Sequence, residues 1–347
     1  MGRRADKPEG MKRALATGLA VLLIALPSTV FGWGSTGHRF IGEVAMRALP
    51  AELPAFLRAP QAAIDVGEYS REPDRSKGAG RVHDADRDPG HFLDLNDDGT
   101  VLGGPALAAL PATRAEFDAG VRKAGADSWK SGYLPYSIID RWEQLARSMA
   151  YWRVLAAAEA NPAWSAHKAF FAADRRRREA QILVTIGELS HFVGDGSQPL
   201  HVTVHFNGWG DFPNPGGYTT AKIHAPFESD LVQASVTEAS VVANMLPPKD
   251  CHCTLQKEVG DYLAATGALV VPLYQLEKAG GLASGDPRGP AFAAQRIAVG
   301  ASELRDLIVE AWQVSATQTL GYKPNAVSVA DVVAGKADPY AMLYGID

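Results

Sequence analysis

The chain has 347 residues, enough for one large domain or two small ones, and its 46% hydrophobic, 21% charged composition is that of an ordinary folded protein. Basic residues number 34 against 39 acidic ones, giving a net charge of −5 and a pI near 6.0. No bulk positive field exists to hold a duplex, so any nucleic-acid substrate has to be gripped locally.

The first signal in chain order is a leader. Met11, Lys12 and Arg13 make a basic start, and the apolar run 14–26 follows, then Pro27 and a stretch ending at Gly32. The run is too short to span a bilayer and suits the apolar core of a secretory signal. Val30 and Gly32 place the expected cut before Trp33. Residues 1–32 are therefore expected to be a signal peptide, with Met11 as an alternative start, and 33–347 a single domain, secreted or periplasmic. An uncleaved anchor is the competing reading, and Arg3-Arg4 lies too far from the apolar run for a twin-arginine signal.

Beyond Trp33 the helical period dominates. Residues 37–49 carry Phe40, Ile41, Val44, Ala45 and Leu49 on one stripe. A shorter helix is expected over 54–63, then loop over 68–100, which is rich in Asp, Gly and Pro. Helices follow at 112–124, 136–160 and 164–193, the last with Phe170, Ile182, Leu183, Ile186 and Leu189. The arginines at 175–178 on that helix form a solvated face. Loop is expected over 194–220, then helices over 223–245, 254–276 and 290–317. Alternating patterns are nearly absent, as are repeats, so the expectation is one compact, all-α, multi-helix domain. Cys251 and Cys253 flank His252; two loop thiols or a local bridge is the plainer reading and metal capture the other. The run from Asp94 to Gly99 resembles the start of an EF-hand loop, but Pro105 stands where that loop needs Glu, leaving a surface turn.

The nine histidines carry the functional argument. His191 and Asp195 are four apart at a helix end, so both project from one face. Pro199 turns the chain and His201 follows. Downstream, His224 and Glu228 repeat the four-residue spacing. Imidazoles and carboxylates spaced in this way suit zinc. If the leader is cut before Trp33, the new α-amine and the Trp33 carbonyl can chelate a metal, with His38 one turn along. His83, His167, His205 and His252 fall outside this set and are expected to be surface or hydrogen-bonded, although His205 lies close enough in sequence to contact substrate.

Taken together, these motifs resemble the superfamily of bacterial zinc-dependent phospholipases C and fungal and plant single-strand-specific nucleases, from Trp33 to the last long helix. The resemblance rests on Trp33 with His38, on Gly90-His91-Phe92-Leu93-Asp94, on His191, Asp195 and His201 with Gln198-Pro199-Leu200, and on His224 with Glu228. It implies a trinuclear zinc site in a cleft. One ion takes Asp74, His91, His191 and Asp195; a second takes His201, His224 and Glu228; a third takes the Trp33 main chain, His38 and Asp195. Glu72 competes with Asp74 for its place, where the match is poorest. Asp74 and Asp195 are expected to be catalytic, through phosphodiester hydrolysis by a metal-bridging hydroxide.

Two substrate classes stay open. The step from Trp33 to His38 and that from His201 to His224 resemble the nucleases. The Phe227-Glu228 pair resembles the phospholipases, and the balance falls slightly on a phospholipid headgroup over single-stranded DNA or RNA. Phe92, Trp209, Phe212 and Tyr218 are the aromatic candidates to stack on a base or seat a choline, with Phe92, Trp209 and Tyr218 foremost. No stable protein partner is implied and a monomer is expected. A non-catalytic zinc-binding protein is the reading from a different class.

Overall fold

Three long helices and the first helix after Trp33 set the architecture. The computed structural model describes residues 33–344; the leader expected over 1–32 lies outside them. Helix α1 (Gly34–Arg47) buries Ile41, Val44 and Ala45 on one stripe. Arg47 closes it, where a cation offsets the helix dipole, and pairs with Glu43 at 2.5 Å. Helix α2 (Pro60–Tyr69) opens on a proline, whose missing N–H costs nothing at that position. Short α3 (Glu72–Arg75) and α4 (Arg81–Asp84) lead to a 3-10 turn over Asp88–His91. Thr113 and Glu116 form a capping box that starts α5 (Arg114–Lys123), and α6 (Ser128–Ser131) follows.

Helices α7 (Leu134–Ala160) and α8 (Lys168–Ser197) are 27 and 30 residues long and pack along each other. Short α9 (Val232–Ser235) and α10 (Glu238–Val242) precede α11 (Leu255–Gly267) and α12 (Val270–Lys278). Helix α13 (Arg288–Ser315) lies against α1, α7 and α8, and α14 (Val329–Val333) closes the order. The main core joins Ile41, Met46, Ile138, Leu145, Ile186, Leu189, Ile297 and Leu304. Each such aliphatic side chain contributes about 1.5–3 kcal/mol on full burial. A smaller cluster joins Val154, Leu155, Trp164 and Phe171 to Leu320, Val327 and Val332. Its last members come from a two-stranded antiparallel sheet, β1 (Thr319–Leu320) with β2 (Val327–Ser328), and from α14. No helix among the described residues is long and apolar enough to cross a membrane.

Several expected boundaries move, and proline explains most of the shifts. The helix expected over 54–63 begins only at Pro60, because the residue before a proline disfavours helical backbone. The helix expected over 254–276 divides into α11 and α12, since Pro272 fits only within the first turn of a new helix. The segment 223–245 breaks into a π-turn over Pro226–Leu231, then α9, then α10, which Thr237 starts by capping Ser240. The expected loop 68–100 holds α3, α4 and a 3-10 turn, and α8 runs on to Ser197 before Pro199 ends it.

Candidate metal centre

Six separate elements deliver eight titratable side chains to one place. Helix α8 presents His191 and Asp195 from its last, buried turns. Helix α1 presents His38, α3 presents Asp74, and the 3-10 turn before Phe92 presents His91. A 3-10 turn over Pro199–His201 ends on His201, and the π-turn supplies Glu228 just after His224. A π-turn widens the helix by one residue and is common at functional sites. All but Asp74 are 4% exposed or less, and Asp74 is 10% exposed.

Two glycines make the convergence sterically possible. A Cβ at Gly194 would stand 2.9 Å from His38 Nδ1 and from Ile41 Cδ1, so α1 approaches α8 only because that side chain is missing. Gly132 has φ +68 and lies against the Phe92 carbonyl, where any larger residue would push away the backbone that carries His91.

The donor atoms fall into overlapping groups: His38 with Asp74 and His191, His91 with His191 and Asp195, and His201 with His224 and Glu228. Each group is compact enough to hold a metal ion. Asp195 joins them. Its Oδ2 lies 3.1 Å from His91 Nδ1 and 3.2 Å from His191 Nε2, while Oδ1 lies 3.6 Å from His38 Nε2 and 3.7 Å from His201 Nδ1. Asp74 Oδ1 is 3.9 Å from His91 Nδ1 and 3.8 Å from His191 Nε2. Its competitor Glu72 instead pairs with Arg75 at 2.5 Å, half exposed. Glu228 Oε2 stands 2.8 Å from His224 Nε2 and 3.4 Å from His201 Nε2.

Neighbouring groups orient these side chains, two of them backbone carbonyls and one, Gln198, from within the His191–His201 motif. His191 Nδ1 donates to the Ser70 carbonyl at 2.8 Å, and His201 Nδ1 donates to the His91 carbonyl at 2.7 Å. A carbonyl only accepts, so each imidazole carries its proton on Nδ1 and turns Nε2 inward. Backbone acceptors leave no trace in a sequence. Gln198 does: its Nε2 donates to Glu228 Oε2 at 3.1 Å while its Oε1 accepts from Leu200 N–H. Replacing Gln198 by alanine is expected to weaken the hold of the His201, His224 and Glu228 group on any added divalent ion by about 10–100-fold, the usual effect of losing such a partner. Titration of the variant with a competing chelator measures it.

Burial and charge pull the imidazoles in opposite directions. Burial, aided by the charge of His191, drives His38 down to about 3; burial and then Lys77 drive His91 down to about 4. Burial also opposes the imidazolium of His201, but Asp195 and Glu228 outweigh it and lift that group to about 9. His191 is raised in the same way, against burial, by Asp195 and Asp74. The stability that neutral His38 and His91 provide is present above the ordinary 6.5 and is lost as pH falls towards about 4 and 3. That from His201 is complete below 6.5 and is lost as pH rises through about 9. Metal-free protein is thus expected to melt highest near the middle of this range and lower on both sides, as melting scans across pH in chelator will show.

The remaining candidates fall around the centre. Trp33 is fully buried, donates from Nε1 to Ser197 Oγ at 2.7 Å and packs on Phe227 at 5.5 Å. A cleft of about 330 Å³ opens beside Trp33, His38 and Asp74 and is also lined by Arg71, Arg75 and Gln233. Trp209 is 4% exposed, with its ring stacked on His205 at 3.8 Å and beside Tyr218 at 4.6 Å. Phe92 and Tyr218 are half-buried, and Phe212 is exposed. His205 is buried between the Trp209 carbonyl and Asp97. The run from Asp94 to Gly99 is a turn in which Asp98 accepts from Thr100. Arg175 pairs with Glu159 and Glu179. No protein-family model and no curated protein matches the chain.

Proposed function

We propose that the centre holds three zinc ions and that the protein hydrolyses phosphodiesters. The observation that carries this is Asp195, whose two oxygens face different imidazole sets within one buried cluster. The donors fit such ions: both nitrogens of His38, Asp195 Oδ1, His224 Nδ1 and Glu228 Oε1 are buried with no hydrogen-bond partner. Leaving such atoms unmatched is unfavourable, so a cation is the natural complement. A mixed imidazole and carboxylate set suits zinc. Asp74, His91, His191 and Asp195 would hold one ion, and His201, His224 and Glu228 a second. His38 and Asp195, with the Trp33 main chain once its amine is free, would hold a third.

Zinc bound there would supply Lewis acidity towards phosphoryl oxygens and a lowered pKa for water. The chain's own residues fix the ligand directions through Ser70, Gln198 and the His91 carbonyl, and bury the centre so that charges act at full strength. Arg71 and Arg75 line the cleft next to Asp74, where each already pairs with a glutamate, Arg71 with Glu68 at 2.9 Å and Arg75 with Glu72 at 2.5 Å, so the lining does not separate a phospholipid headgroup from a single strand. The lipid reading rests on Phe227-Glu228, and Phe227 is fully buried against Trp33.

Purified protein starting at Trp33 and loaded with zinc should be offered phosphatidylcholine, single-stranded DNA and bis(p-nitrophenyl) phosphate side by side. Turnover of any of them that His201→Ala abolishes supports the reading. Full zinc content with no turnover of all three would instead support the non-catalytic zinc protein.

A further inference from the structure

The only two cysteines of the chain, Cys251 and Cys253, are joined in a disulfide that closes around a single residue, His252. His252 adopts φ +50, one of two non-glycine residues at positive φ among those described. Histidine tolerates that region better than most residues, but its Cβ still crowds the following carbonyl oxygen there. The ring is at the surface: the His252 side chain is 83% exposed and both cysteines are half-buried.

A disulfide stabilises a fold mainly by closing a long loop in the unfolded chain, and this one closes almost none. Nor does it staple the neighbouring chain, which is already held. Leu246 N–H donates to Ser302 Oγ at 3.0 Å, Arg305 donates to the Leu246 carbonyl at 2.8 Å, and Lys249 N–H donates to Asp306 at 3.2 Å, all on α13. On the far side Thr254 caps α11. Asp250 accepts from His252 N–H and holds its imidazole at 2.9 Å, so the ring sits between two anchored ends. A small, exposed ring that stabilises little is the kind of disulfide that exchanges readily.

We propose that Cys251–Cys253 is a thiol–disulfide exchange site whose substrate is a dithiol, as in a polypeptide with two nearby cysteines. A substrate thiolate attacks one sulfur of the pair. The Cys251–Cys253 bond breaks, a mixed disulfide forms, and the freed cysteine takes up a proton. The second substrate thiolate then displaces the first cysteine. The substrate leaves as a disulfide, and the protein gains two electrons and two protons as Cys251 and Cys253 thiols. The pair lies in the segment between α10 and α11 and shares no residue with the proposed zinc centre, so the two proposals stand separately.

The test uses the full folded chain with a dithiol peptide of Cys-Gly-Gly-Cys type, quenched by acid and alkylated for mass spectrometry. One peptide disulfide and two protein thiols are expected per event, at a rate within about three-fold of that in urea, since access does not require unfolding. The double variant Cys251→Ser/Cys253→Ser is expected to melt within about 3 °C of the parent. Opening at least about 100-fold slower in the folded chain than in urea would overturn the proposal, as would a fall of about 10 °C or more in the variant. Either result would identify a structural staple.

Discussion

Replacing Asp195 by asparagine is expected to remove more than one metal ion per chain and to lower phosphodiester hydrolysis by about 10³-fold or more. Asparagine keeps the shape but loses the charge. Oδ2 lies close to His91 and His191, and the unpartnered Oδ1 stands 3.6 Å from His38 Nε2 and 3.7 Å from His201 Nδ1, so one substitution reaches several imidazoles. The same carboxylate, with Asp74 for His191 and Glu228 for His201, raises both imidazoles above their ordinary range against their burial. By contrast, His224→Ala touches only the group with His201 and Glu228 and is expected to lose a single ion. Elemental analysis of both variants, with turnover of bis(p-nitrophenyl) phosphate alongside, checks the pair. Equal losses from the two would show that Asp195 does not bridge.

Chelation is expected to lower the melting temperature by about 10 °C or more, and added zinc to restore it. Without a cation, five imidazoles and three carboxylates remain packed together, several with buried atoms that no hydrogen bond reaches. Each unmatched buried group costs about 1–3 kcal/mol, and for a domain of about 310 residues each kcal/mol moves the midpoint by about 1.5 °C, so several such groups together reach the expected shift. Calorimetry with and without chelator gives the shift directly. A midpoint indifferent to chelator would mean that the cluster is held by its own charges alone.

The site is more legible in the sequence than the helix boundaries, and for a physical reason. Four-residue spacing on a helix fixes which side chains share a face, so His191 pairs with Asp195 and His224 with Glu228 on spacing alone. Asp74 and Glu72 do not separate that way, because a four-residue helix carries no period; the direction of the Glu72–Arg75 pair separates them. The Ser70 and His91 carbonyls belong to the backbone and leave no sequence signal. Two of the shifts coincide with Pro60 and Pro272, where an apolar stripe runs through the proline and masks the break from a reading by periodicity; the third break, at Val236, is set by the Thr237 cap of α10. The sequence marks Trp33 only for its main chain, as a chelator at the expected cut, while its ring, buried against Ser197 and Phe227, belongs to the core.

The most direct measurement is the metal content of protein beginning at Trp33, dialysed against zinc and then against metal-free buffer. Three tightly held zinc ions per chain are expected, falling to two when extra residues precede Trp33. Less than one ion retained per chain would contradict the centre described for His38, Asp74, His91, His191, Asp195, His201, His224 and Glu228.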